Sequence, residues 1–178
     1  MSYWDTFYSS FRERVPSDFC RWVCGEYLTS PRVVVDIGCG NGRDASWMAL
    51  RGHNVLAVDS CAIAGKDADP ARFMACDALD VPGTFDVVYS RWFLHAIPYD
   101  AQLLFIKSLS SKINKNGLLA LEFRTTDEGC DGHSRWPITL QAAVRLFNEF
   151  TVIHASEGRN RSVLGSSNPP LGRIIATA

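Results

Sequence analysis

No stretch of this sequence approaches the roughly 20 consecutive apolar residues that a membrane-spanning helix needs. The opening MSYWDTFYSSFRER is aromatic and charged and lacks the apolar core of a secretory signal, so the expected compartment is the cytoplasm. Positive charge is not concentrated anywhere. The formal net charge is −1 and there is no basic run, which removes the electrostatic footprint of broad nucleic-acid binding. Cysteines are present, but not at pairing distances. Cys20, Cys24, Cys39, Cys61, Cys76 and Cys130 form no C-x-x-C couple, and no histidine follows Cys20 and Cys24 at finger spacing. Reduced, mostly buried thiols are therefore expected, with no metal ligated by them. Linkers, repeats and low-complexity segments are also missing. At 47% apolar and 21% charged residues, the chain reads as one ordinary globular domain.

What is there alternates. Val33–Asp36, Asn54–Asp59, Arg72–Cys76, Phe85–Ser90, Leu118–Phe123, Phe150–His154 and Arg173–Thr177 read as strands. Helical stripes separate most of them. Ser17 caps a helix that Pro31 ends, Arg43–Arg51 stops at Gly52, Asp100 caps a helix carrying Leu103, Ile106 and Leu109, and Pro137 opens a last one. The segment NKNG (Asn114–Gly117) reads as a turn. Strand–helix alternation predicts a parallel sheet covered on both faces. The last two strands have no helix between them, so the final one is expected to run antiparallel.

The most specific stretch is VVVDIGCGNGRD, Val33 through Asp44, lying between the first strand and its following helix. Ligands of open α/β sheets bind at such crossovers, beyond the carboxyl ends of the strands. Gly38 and Gly40 let backbone approach a ligand closely. The order Asp36-x-Gly38-x-Gly40-x-Gly42 puts Arg43 where a dinucleotide fingerprint needs a third packing glycine. A carboxylate at 36 would repel a pyrophosphate but suits an ammonium group, and Asp59, ending the second strand, suits a ribose diol. A ribose bearing an amino acid and no phosphate has the shape of S-adenosylmethionine.

On these residues the sequence resembles the class I S-adenosylmethionine-dependent methyltransferases. Asp36–Gly42 matches their glycine motif, VLAVDS their acidic strand end, MACDAL their adenine segment and FDVVYSRWFLHAI the segment after the fourth strand. It is more closely similar to small bacterial enzymes that methylate capsule and surface-polysaccharide groups, including a phosphoramidate. The shared marks are YWDTFY, PSDF, GHSRW and NPPLGRIIATA, although Trp136 stands where a second arginine belongs. The resemblance implies a Rossmann-like, seven-stranded, mostly parallel sheet with helices on both faces and an antiparallel last strand. Residues 1–178 would form a single methyltransferase domain, with 1–30 as an N-terminal lid and helix segment and 31–178 as the core. It implies that Asp36, Gly38 and Gly40 approach the methionine part, Asp59 the ribose, and Asp77 and Ala78 the adenine. Ser90 and Arg91 would lie beside the cofactor, with Tyr3 and Trp4 folding over it, and Cys39, Arg43, Asp44 and Ser60 complete the cofactor-side set. Tyr3, Trp4, Phe7 and Tyr8 could equally pack as a hydrophobic staple on the first helix.

On the acceptor side, Arg91 and His95 follow strand four, Arg124 ends strand five, and His133 and Arg135 lie in the loop beyond. Two or three arginines and two histidines around one cleft favour an anionic acceptor, gripped by guanidinium forks. His95 reads alternatively as a core histidine with a backbone partner, and Arg124 as a mate for Asp127 or Glu128. His53 and His154 read as structural. No metal is expected, because Ser90 occupies the position where divalent-dependent relatives carry a carboxylate. The acceptor is expected to be a small molecule or saccharide-linked, on a monomer or homodimer. Little chain lies between Arg124 and Pro137, so an open cleft is expected, which suits an exposed or bulky acceptor such as a sugar chain or nucleotide-linked sugar better than a tiny metabolite. Rival readings are a cofactor-binding module without catalysis, an N-methyltransferase acting on a small metabolite, a nicotinamide-dependent oxidoreductase and a nucleic-acid methyltransferase. The last would need an aromatic after Asn-Pro-Pro, whereas NPPL at Asn168–Leu171 ends in leucine, which cannot stack on a base.

Overall fold

The computed structural model describes residues 3–10, 14–128, 136–159 and 169–178. Five helices are α1 (Tyr3–Ser10), α2 (Asp18–Glu26), α3 (Arg43–Leu50), α4 (Tyr99–Lys112) and α5 (Leu140–Leu146). The strands are β1 (Val33–Ile37), β2 (Asn54–Asp59), β3 (Arg72–Ala75), β4 (Phe85–Arg91), β5 (Ile113–Arg124), β6 (Thr151–Arg159) and β7 (Pro170–Thr177). They form one sheet in the order β3-β2-β1-β4-β5-β7-β6. Strands β1 to β5 pair in parallel, and β7 runs antiparallel to both β5 and β6. The order reverses between β1 and β4, which places the crossover loop after β1 at the switch point where such sheets bind ligands.

Successive side chains of the central strands go to opposite faces, and both faces are covered. Val35, Ile37, Val88, Leu119 and Leu121 pack with Phe105 and Leu109 of α4 and Ala143 of α5. Val34, Ala57, Val87, Tyr89 and Ala120 pack with Phe19 and Val23 of α2 and Met48 of α3. This two-sided burial is why β1 shows no alternation, with Val34, Val35, Asp36 and Ile37 all buried. Each fully buried side chain such as Phe19 contributes roughly 1.5–3 kcal/mol. The edge strand β6 alternates between exposed and half-buried residues.

Local chemistry sets the helix ends. Ser17 is the N-cap of α2, accepting from Cys20 N–H at 3.0 Å. Gly52, with φ 89°, follows α3 and donates to the Ala49 carbonyl at 2.9 Å. Two expected starts shift. Helix α4 begins at Tyr99 with Pro98 at the N-cap, so Asp100 sits in its first turn instead of capping it. Helix α5 begins at Leu140, because the Thr139 hydroxyl takes the Ala142 N–H at 3.2 Å and Pro137 stays outside. The NKNG turn lies inside β5: Asn116 adopts φ 61°, and the pairing with β4 jumps from Phe85–Ile113 to Val87–Leu118. Five cysteines (Cys20, Cys24, Cys39, Cys61 and Cys76) are free thiols, and Cys130 lies outside the described residues. His53 and His154 have structural partners, His53 Nδ1 accepting from Arg32 N–H and His154 contacting Ser156 and Trp22.

Candidate functional site

Beyond β1 the chain passes through three left-handed glycines, Gly38 (φ 73°), Gly40 (φ 57°) and Gly42 (φ 87°). Space as well as φ restricts all three, a Cβ on Gly42 meeting Ala68 at 2.5 Å. A Cβ on Gly38 would lie 2.7 Å from Phe93, and one on Gly40 would lie 2.7 Å from the Tyr8 hydroxyl. The loop is tied down from β2. Gly38 and Cys39 N–H donate to the Val58 carbonyl at 2.8 and 2.9 Å, and Gly40 N–H donates to Asp59 Oδ2 at 3.0 Å. Asp59 Oδ1 accepts from Cys61 N–H at 2.9 Å.

Beside this loop is a cavity of about 190 Å³. Its walls come from the ends of four strands and from α1: Trp4 and Tyr8, Gly38, Asp59 and Ser60, Asp77 and Ala78, then Trp92 and Phe93. Leu79, Ile97, Ala101 and Phe105 make one side of it apolar. Helix α1 buries none of its residues in the core. It is fastened by the Cys61 thiol donating to Asp5 Oδ1 at 3.0 Å and by Lys66 Nζ donating to the Tyr8 carbonyl at 2.5 Å.

The electrostatics beneath the loop are acidic. Asp36 is 2% exposed, and its Oδ2 has no hydrogen-bond partner among the described residues. Burial, then the nearby Asp44 and Asp59, push its carboxyl well above the ordinary range, with Arg91 opposing. Burial also raises Asp59, although the Cys61 and Gly40 N–H donors pull it back. Asp59 lines the cavity and Asp36 directly precedes Ile37 of its wall, and perturbed acids so placed mark a candidate functional site.

The structure brings six of the fourteen residues expected on the cofactor side to the cavity wall, and Asp36, Gly40 and Arg91 are not among its lining residues. Trp4, Gly38, Asp59, Ser60, Asp77 and Ala78 line the cavity. Tyr3 does not; it packs edge-on against Trp4, with ring centroids 4.9 Å apart. Ser90 donates to the Ile37 carbonyl at 2.8 Å and fixes the β1–β4 junction. Asp44 is set in the frame, accepting from Ser17 N–H and Oγ (both 2.7 Å) and from the Tyr89 hydroxyl (2.8 Å). Arg43 lies elsewhere, on a polar outer recess with Arg14, Lys66 and Asp67. The Cys39 thiol stays in the loop, donating to the Gly40 carbonyl at 3.6 Å.

On the acceptor side, Arg91 Nε donates to Glu122 Oε1 at 2.9 Å. His95 is buried, its Nδ1 accepting from Arg124 N–H at 3.1 Å, and it does not line the cavity. The Arg124 guanidinium lies 5.2 Å from the Trp92 ring centroid, whereas Glu128 pairs with Arg159. His133, Arg135 and Asn168 lie outside the described residues. Sequence reasoning missed Trp92, Phe93, Glu122 and Arg173, and had Tyr8 only among the aromatics of the staple. One signal was available: Glu122 is a lone acid inside the apolar run LLALEF, and a charge there needs partners. Among the described residues, no cluster of three or more His, Cys, Asp or Glu could hold a metal ion, and no helix is long and apolar enough to cross a membrane.

The family described as the methyltransferase domain matches residues 8–159. The chain belongs to that family. No curated protein matches it. The fold of this methyltransferase domain is shared with solved structures of low sequence identity. TehB from Haemophilus influenzae superposes with TM-score 0.80 at 14% identity, over 97% of this chain and 66% of that one. Magnesium protoporphyrin IX methyltransferase from Synechocystis, solved with bound S-adenosylmethionine, gives 0.71 at 16% identity, over 97% and 78%. The N-methyltransferase NodS from Bradyrhizobium japonicum, solved with S-adenosylhomocysteine, gives 0.70 at 14%, over 89% and 84%.

Proposed function

We propose that this chain is an S-adenosylmethionine-dependent methyltransferase acting on a polar, anionic acceptor. The observation that carries the cofactor is the pairing of a loop whose glycine positions have no room for a Cβ with an acid, Asp36, whose Oδ2 is buried without a partner among the described residues. The residues present fit that molecule. Asp36, Asp44 and Asp59 make the loop hostile to a pyrophosphate and favourable to a ligand carrying ammonium and sulfonium charges. Asp59 uses one lone pair of each oxygen on backbone N–H groups, and each oxygen keeps another for the ribose hydroxyls. Asp77 holds Leu79 N–H with Oδ1, which leaves Oδ2 for the adenine amino group, while Leu79, Phe93, Ile97 and Phe105 supply an apolar slot for the base. Trp4 and Tyr8 cover the site.

When bound, S-adenosylmethionine supplies a methyl group already activated by its sulfonium. The protein then needs to align an acceptor in line and exclude water, which together can lower a barrier by roughly 7–11 kcal/mol. Arg91 and Arg124, whose guanidiniums lie near the ring of the cavity-lining Trp92, support an oxyanion acceptor, and such an oxygen is ionised at neutral pH and needs no general base. With His95 committed to Arg124 N–H, the chain's task on this side is holding rather than deprotonating. A phosphate- or phosphoramidate-like group, on a small molecule or a surface polysaccharide precursor, fits both this charge and the sequence resemblance, with His133 and Arg135 completing the acceptor side. We place the reaction in the cytoplasm, in one domain spanning the chain.

Calorimetry tests the cofactor assignment. S-adenosylhomocysteine should bind the wild type with micromolar affinity and the Asp36→Ala protein at least tenfold more weakly. Stabilisation by NADH in place of S-adenosylhomocysteine would overturn it.

A further inference from the structure

Three adjacent strands bring side chains together that are far apart in sequence. Arg91 on β4, Glu122 on β5 and Arg173 on β7 are register neighbours, Arg91 opposite Glu122 and Glu122 opposite Arg173. Glu122 is completely buried and divides its oxygens: Oε1 accepts from Arg91 Nε at 2.9 Å and Oε2 from Arg173 Nε at 2.8 Å. Both arginines are thus held through Nε alone. Among the described residues no hydrogen bond engages the Nη nitrogens of either.

Two guanidiniums, whose side chains are only 16% and 26% exposed, share Glu122, and the buried Asp36 lies close enough for Arg91 to oppose its charge as well. Asp44 also attracts Arg91, but its oxygens are already taken by Ser17 and Tyr89. What is left over is hydrogen-bonding capacity: Nη–H groups with little access to water and no partner among the described residues are donors that an oxyanion would satisfy. A second, independent mark lies next door. Trp92, which walls the cavity, stands in the left-handed region at φ 60°, an uncommon conformation for a bulky residue and one that collects at functional sites. The Arg91 guanidinium lies 4.6 Å from the centroid of its ring.

Accepting the methyltransferase reading of the cavity, we propose that Arg91 and Arg173, clamped side by side on Glu122, bind the oxyanion of the acceptor beside Trp92. Glu122 is then a positioning residue: it fixes two forks so that their Nη–H groups converge on one group, the geometry that suits phosphate and carboxylate oxygens. Trp92 walls the cavity and touches one of the clamped arginines, so its indole reports on the site.

The test titrates inorganic phosphate, at constant ionic strength, into 15N-labelled full-length protein saturated with S-adenosylhomocysteine, following the Trp92 indole N–H resonance assigned by its loss in Trp92→Phe. The wild-type resonance should shift saturably. Arg173→Gln should weaken phosphate at least tenfold, and Arg173→Lys, which keeps charge but loses the fork, by less. An unmoved resonance in the wild type, or equal phosphate affinity in Arg173→Gln, overturns the anion site while S-adenosylhomocysteine still binds. Failure of S-adenosylhomocysteine to bind overturns the cavity reading, and this proposal with it.

Discussion

The two halves of the site are built from different materials. Around β1 and β2 it is made of backbone: three left-handed glycines, N–H groups donated to Val58 and Asp59, and acids beneath. Around β4, β5 and β7 it is made of side chains, two arginines on one glutamate beside an indole. The first half requires a chain path and suits a ligand whose shape never varies. The second requires only register, since β4, β5 and β7 would bring positions 91, 122 and 173 together whatever residues stood there.

Breaking each half separately should have separable effects. The largest is expected from Glu122→Gln, which leaves two poorly hydrated guanidiniums without their carboxylate. Urea denaturation should show a loss of about 3 kcal/mol, while S-adenosylhomocysteine affinity stays within twofold of wild type. Next is Gly38→Val, where the new side chain would meet Phe93 in a backbone region closed to β-branched residues. A stability loss of about 2 kcal/mol is expected, together with a fall in S-adenosylhomocysteine affinity on the order of a hundredfold, equivalent to about 2.7 kcal/mol. If Gly38→Val bound normally, the backbone half would lose its meaning.

The smallest effect has the opposite sign. Asp36 and Asp59 both have carboxyls raised by burial. The folded chain therefore holds their protons to higher pH than the unfolded chain. Stability is fullest below 3.8, the ordinary carboxyl value, and falls as pH rises through the raised folded values. Asp36→Asn should accordingly raise apo-protein stability at neutral pH by about 1 kcal/mol, flatten the decline of melting temperature with pH, and still abolish tight cofactor binding. A ligand that pairs with the ionised acid should bind more tightly as pH rises over the same window.

The backbone half was the part legible in the sequence, because Asp36, Gly38, Gly40 and Asp59 lie within one strand–turn–helix–strand unit and their spacing is the signal. Asp44 fell in that window too, but it went to Ser17 and Tyr89, since an acid at the start of α3 can be reached by the N-cap of α2 as readily as by a ligand. The side-chain half was legible only in part. Arg91 and Arg124 announced themselves at strand ends, but Arg173 read as one residue of a last strand, and its pairing with Glu122 depends on β7 inserting between β5 and β6. Nothing local encodes that insertion. The placement of α1 was half visible: aromatic spacing could mean a cover or a staple, and the contact of Tyr8 with Gly40 depends on the whole sheet being in place.

The Glu122 clamp has a consequence for how such a protein changes over generations. A chain path shaped by glycines resists alteration one codon at a time, whereas a trio of side chains on neighbouring strands can be rewritten at position 173 with the donor machinery untouched. A descendant of this enzyme could therefore exchange what it decorates without losing what it decorates it with.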